Sequence, residues 1–350
     1  MSTPRYLDLP DQVRPVAIAS QRGAFAALEA RPASGVCERR PALLVPGFAG
    51  SKEDFIPVLQ SLAAAGRRVV AIDMLGQYES QGGTDPGRYA PAELAADVAA
   101  AAGAVASDGH GVHLLGHAFG GLIARDTALA AATPILSLTL LSSGPGSLSS
   151  ERAEPLRGML TVLEEAGSSP GRSRATIEML WNEQLEPQAR ADGLAEHIIA
   201  FLRKRMLSNS PAALVAMGRY LLTCPDRTGE LASLGGPPIL VLYGENDDAW
   251  RPADQERMAR RLGAERVCIP GAGHSPAVEA PETTASMLSA FWRAAESSLR
   301  HGARVAAGDR HSGRPTPAGP PGLPAGSPAF PASSPSHGRR GSEAWIPSGQ

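Results

Sequence analysis

Short apolar runs and helical stripes alternate along the first 145 residues. Ala42-Leu43-Leu44-Val45 is an unbroken apolar run stopped by Pro46-Gly47, the mark of a buried strand. Glu53 to Ala65 follows at helical spacing, with Phe55, Val58, Leu59 and Leu62 on one face. Arg68 to Asp73 reads as a second buried strand, and Pro91 opens a helix that runs to about Ser107. Val112 to Leu115 is a third strand, Leu122 to Ala132 a helix, and Leu136 to Leu141 a fourth strand. Strands that alternate with helices predict βαβ units and a mostly parallel sheet covered on both faces.

The alternation stops near Ser143-Gly144-Pro145-Gly146. Residues 150 to about 225 carry four helical patterns and no clear strand, among them Ala191 to Leu207 and Pro211 to Leu222. Strand-type runs resume at Pro238 to Tyr243 and at Arg266 to Ile269, and a closing helix spans about Glu282 to Leu299. The expected organisation is an α/β core in two parts, 1–145 and 236–299, interrupted by a helical insertion at 146–235. Ligands of such sheets bind at the carboxyl ends of the strands.

Composition changes the picture mainly after residue 300. From His301 onward roughly half the residues are Pro, Gly or Ser, too few apolar side chains to offset the entropy of ordering. Residues 300–350 therefore read as a disordered tail. Its prolines (Pro317 and Pro320, Pro321 and Pro324, Pro328 and Pro331) have spacings that permit polyproline II docking. A formal net charge of −2 leaves no basic footprint for nucleic acid. No apolar run reaches the ~18 residues of a membrane helix, and the first residues have no apolar leader core. The three cysteines, Cys37, Cys224 and Cys268, lie far apart in neither metal-clip nor disulfide spacing. The expectation is a cytoplasmic protein with a small, largely apolar substrate or ligand. Neither nucleic acid nor membrane is expected as a partner, and the oligomeric state is open.

Three turns at the carboxyl ends of predicted strands carry the candidate chemistry. Gly116-His117-Ala118-Phe119-Gly120-Gly121 follows a strand and opens a helix, the setting of the G-x-S-x-G nucleophile elbow. Its glycines allow a strained turn that lifts the middle side chain. Tyr243-Gly244-Glu245-Asn246-Asp247-Asp248 follows another strand and places Asp247 where an acid would orient a histidine. Pro270-Gly271-Ala272-Gly273-His274 follows a third and can aim His274 into the same site. His113 reads as a core residue, and His197 as a solvated helix residue.

With the order elbow, acid, histidine, the chain resembles the α/β-hydrolase superfamily from about residue 15 to 298. It is similar to the esterase, thioesterase and C–C hydrolase branches that carry a helical cap. The resemblance implies the α/β-hydrolase fold: a mostly parallel central sheet with helices on both faces and a helical cap insertion. Val45-Pro46-Gly47-Phe48 matches the family's oxyanion loop, with Pro46 where histidine is frequent. Asp73-Met74-Leu75-Gly76 resembles its Asp-x-x-Gly turn. The resemblance implies His274 as general base, Asp247 as its orienting acid, and the backbone N–H groups of Phe48 and Phe119 as oxyanion donors. A substrate pocket would lie between core and cap. Trp250 and Trp181 are candidate lining for such an apolar pocket, with core filling an equal alternative for Trp181. The resemblance implies neither metal nor cofactor, and Gly116 to Gly121 lacks the Lys-Ser/Thr of a phosphate loop.

The sequence departs from the family at the nucleophile. Ala118 carries a methyl group where the family has Ser, Cys or Asp, and a methyl cannot attack a carbonyl. Loss of the nucleophile alone costs a serine hydrolase about 10⁶ in turnover. His117 and Phe119 are expected to point away from the site, and Ser51, Ser142 and Ser143 lie on neighbouring loops. Three functions follow. The chain is a hydrolase scaffold impaired in acyl chemistry, or a His–Asp dyad enzyme without a serine, as in cofactor-free oxygenases and lyases on this fold. The third is a non-catalytic small-molecule binding protein.

Overall fold

A computed structural model describes residues 2–308, apart from 107–108, 131, 149–150 and 168. Eight strands form one sheet: β1 (Val13–Ser20), β2 (Gly23–Ala30), β3 (Ala42–Val45), β4 (Val69–Ile72), β5 (Val112–His117), β6 (Ile135–Leu141), β7 (Ile239–Gly244) and β8 (Glu265–Ile269). Their order across the sheet is β1-β2-β4-β3-β5-β6-β7-β8. β1/β2 and β2/β4 pair antiparallel, and every later pair is parallel. The central strands β3, β4 and β5 are buried along their whole length, which is why they read as continuous apolar runs. One apolar cluster fills each face of the sheet, the first around Val45, Leu114 and Ile123, the second around Leu44, Leu115 and Trp292.

Helices α1 (Ile56–Ala64), α2 (Pro91–Val105) and α3 (Phe119–Ala130) connect the first strands. Six helices lie between β6 and β7: α4 (Ala153–Glu165), α5 (Pro170–Leu180), α6 (Glu186–Ala191), α7 (Glu196–Ser208), α8 (Pro211–Thr223) and α9 (Thr228–Ser233). A π-helical turn, Trp181–Leu185, joins α5 to α6. α8 shows the local logic: Ser210 caps its N-terminus by accepting the Ala213 N–H, and Pro211 occupies the first turn. The core closes with α10 (Pro252–Leu262), α11 (Pro276–Glu279) and α12 (Pro281–Gly308).

The hairpin β1–β2 has no counterpart among the expected strands. The closing helix, expected to end near Leu299, continues to Gly308. Of the predicted tail, residues up to 308 are helical. The remainder of the predicted tail, with Pro317 to Pro331, lies outside the described residues. Among the described residues no helix is long and apolar enough to cross a membrane.

Candidate active site

Ala118 sits at the apex of the turn between β5 and α3 with φ of 50°, a left-handed conformation that side-chain-bearing residues rarely adopt. Among the described residues the other non-glycine residues with positive φ are Ala49, Tyr78 and Ser142, and each follows the carboxyl end of a sheet strand. Backbone strain is therefore concentrated on the edge of the sheet where ligands of this architecture bind. The turn closes only because its flanks lack side chains. A Cβ on Gly116 would lie 2.2 Å from the Gly120 carbonyl oxygen, and one on Gly120 would lie 2.4 Å from that of Pro46.

Two peptide planes border the Ala118 methyl. The Gly47 carbonyl accepts the Gln77 side-chain amide at 2.8 Å. A trans peptide points its C=O and N–H in opposite directions, so Gln77 fixes where the Phe48 N–H aims. The Ala118 carbonyl accepts the Gly121 N–H at 2.9 Å, which fixes the Phe119 N–H in the same way. Phe119 begins α3, where an N–H has no partner within the helix. The Pro46–Phe48 loop lies directly over the elbow: a Cβ on Gly47 would be 3.3 Å from the Ala118 Cβ.

His274 and Asp247 meet from the turns after β8 and β7. His274 Nδ1–H donates to Asp247 Oδ1 at 2.9 Å, since an ionised carboxylate can only accept. Asp247 Oδ1 also takes the Ala249 N–H at 3.0 Å, and Oδ2 takes the Gln255 amide at 2.8 Å. Burial pushes the Asp247 carboxyl up, but His274 and these donors outweigh it and hold its pKa below the usual value. Asp248 points elsewhere and pairs with Arg152.

His117 departs from expectation. Instead of pointing away, it lines the cavity beside Ala118, and its Nε2–H donates to the His274 carbonyl at 2.8 Å. Burial, followed by the proximity of His274, pushes its pKa down to about 3, so it is neutral at physiological pH. The two rings lie 5.0 Å apart between centroids.

A cavity of about 310 Å³ opens on Ala118, His274 and Phe48. Leu156, Met159, Leu185 and Leu221 from the inserted helices form much of its apolar wall, within the size range of small-molecule sites. Trp250 is on the wall, its indole N–H donating to the Gly146 carbonyl and its ring 6.2 Å from His274. Trp181 is not. It is fully buried among the inserted helices, with its N–H bonded to Glu186, because its size is used to fill their own core. Ser2 is the one hydroxyl side chain on this wall among the described residues. Ser142 and Ser143 are buried off it, the latter against Gly121. Sequence signals point to Asp247, His274 and Ala118. They give no sign of Gln77 or Gln255, which touch the site only through Gly47 and Asp247 and belong to no motif. Among the described residues no group of His, Cys, Asp and Glu is placed to hold a metal.

The alpha/beta hydrolase family profile matches residues 42–287. The chain is 28% identical over 254 residues to the dihydrolipoyllysine-residue acetyltransferase component of an acetoin cleaving system from Pseudomonas putida, covering 72% of this chain and 63% of that one. It is 37% identical over 109 residues to the RutD protein of Variovorax paradoxus, covering 31% of this chain and 40% of that one. It thus spans less than two thirds of the length of either relative. A thermophilic esterase from Thermogutta terrifontis superposes with a TM-score of 0.60 at 25% identity, covering 81% of this chain and 99% of the esterase. The esterase RhEst1 from a Rhodococcus species superposes at 0.58 with 22% identity, covering 81% and 98%. The chain belongs to the alpha/beta hydrolase family.

Proposed function

We propose that this alpha/beta hydrolase family member binds a small, largely apolar carbonyl compound beneath its inserted helices and is impaired as a serine hydrolase. The observation that carries this reading is Ala118 itself. Its methyl occupies the strained apex on the cavity wall, beside a histidine already hydrogen-bonded to a buried aspartate. In this role His274 is the general base, Asp247 orients it, and the N–H groups of Phe48 and Phe119 receive an oxyanion. Trp250 lines the ligand. With no nucleophile at the apex, no acyl-enzyme forms. Ala118→Ser supplies the missing hydroxyl, so turnover of short p-nitrophenyl esters should rise by about 10³-fold or more over the unaltered protein. A folded Ala118→Ser variant without such a gain contradicts the reading.

The completeness of the dyad favours a second reading. Three donors position Asp247, and that arrangement serves a base even when no serine is present. His274 would then take a proton from the carbon next to a bound carbonyl, leaving the electron pair on the oxyanion held by the two N–H groups. Solvent deuterium should enter an enolisable ketone in the presence of the protein and not of its His274→Ala variant. Equal exchange with both variants removes this reading.

A further inference from the structure

The residues before β1 do not lie over the outside of the core. Ser2 and Pro4 are buried, and three hydrogen bonds fasten the segment. The Ser2 carbonyl accepts Arg205 Nη2 at 2.6 Å, and Arg205, fully buried on α7, also pairs with Asp54 at 2.7 Å. Ser2 Oγ meets Ser275 Oγ at 2.8 Å, next to His274. Arg5 donates to the Glu279 carbonyl at 3.1 Å. The segment is thus tied to the core on one side and to an inserted helix on the other.

A second cavity of about 450 Å³ lies on the far side of this segment. Ser2 is on the wall of the first cavity, whereas Thr3, Pro4 and Arg5 are on the wall of the second. His274 and Arg152 belong to both walls. We propose that Ser2–Arg5 is a partition that divides one cleft around His274 into two chambers and thereby determines ligand length. With the segment in place, a compact ligand fits beside Ala118. With it displaced, an elongated ligand carrying an alkyl chain runs past His274 into the second chamber. Arg205 keeps its Asp54 partner when the segment leaves, so displacement does not strand a buried charge. The three bonds that close the partition correspond to about tenfold to a thousandfold in the population of the open form.

Access can be read without any substrate being turned over, which keeps the test separate from the function proposed above. Ala118→Cys places a thiol at the apex, in a background where the exposed Cys37 and Cys268 are replaced by serine. The rates of its alkylation by iodoacetamide and by a long-chain N-alkyl iodoacetamide are then compared. Deleting residues 2–5 should accelerate the long reagent about tenfold or more and change the small one by less than about twofold. The combined Ser2→Ala and Ser275→Ala change, which removes only the hydroxyl contact, should accelerate the long reagent by a smaller factor in the same direction. It carries the test if the deletion does not fold. Equal acceleration of both reagents, or none, overturns the partition.

Discussion

An alanine held at φ of 50° sits in a conformation that costs an L-residue roughly 1–2 kcal/mol. In a serine hydrolase the elbow's strain accompanies a reacting hydroxyl. Here the same strained backbone conformation carries a methyl group. The flanking contacts enforce it, since the close approaches at Gly116 and Gly120 leave the apex no relaxed alternative. Glycine would relieve the apex, partly offset by the ~0.5–1 kcal/mol that glycine loses in unfolded-state entropy. Ala118→Gly is therefore expected to leave stability unchanged or raise it by up to about 1.5 kcal/mol. Chemical denaturation of the two proteins measures this, and a loss above about 1 kcal/mol would show that the apex is not strained.

At the scale of elements, the site is a set of turns held in place by residues outside every motif. Gln77, in the turn after β4, holds the Gly47 carbonyl and so aims the Phe48 N–H. Lys52 joins Asp73 and Glu79 at 3.0 and 2.8 Å, fastening that turn to the loop after β3. In the Ala118→Ser background, Gln77→Met should lower kcat by about tenfold with little change in KM, short of the 10²–10³ lost when an oxyanion donor is removed outright. An unchanged kcat would detach Gln77 from the proposed oxyanion site.

The same scale explains what could be read along the chain. β3 to β7 are legible because buried parallel strands are continuous apolar runs between breakers, whereas β8, a mostly exposed edge strand, is legible only from Val267 to Ile269 before Pro270-Gly271. β1 is not legible: it carries Arg14 and Pro15, and few of its residues are buried, as suits an edge strand. β2 is rich in alanine, which has weak strand preference, and it pairs through β4 rather than through its own pattern. Read from the sequence, α3 starts at Leu122, because Gly120 and Gly121 disfavour helix. Packing against β3 and Ser143 excludes larger residues there and overrides that propensity. Trp181 looked like pocket lining because a tryptophan's size suits either role, and only the packing of the inserted helices decides between them.

Across the whole molecule, buried charge makes folding sensitive to acid. Burial raises the Glu29 pKa, but Arg31, Arg14 and Arg68 outweigh it and hold it down to about 2. Glu296 is likewise held at about 2 by His113 and Arg67 against its burial. Both carboxylates add stability that is fully present above their ordinary value of about 4.5 and is lost as pH falls toward 2. His113 and His117 are pushed down by burial. Their unfolded forms take up protons below about pH 6.5 while the folded forms do not, which also favours unfolding in acid. Burial raises the Asp73 carboxyl to about 7, which stabilises the folded state as pH falls and offsets the histidines above about 4.5. The urea midpoint should therefore fall mainly below about pH 4.5. His117→Gln should raise the midpoint at pH 5 relative to that at pH 7.5, and a midpoint constant down to pH 3 would show that Glu29 and Glu296 are not held as the structure has them.

The central claim is that the site is complete but for one hydroxyl. It is tested most directly by intact-mass measurement after treatment with a fluorophosphonate, which labels a serine only where base and oxyanion donors activate it. The unaltered protein is expected to gain no adduct and Ala118→Ser to gain one. The combined Ala118→Ser and His274→Ala variant should lose it. Stoichiometric labelling of the unaltered protein, or none of a folded Ala118→Ser variant, would contradict the claim.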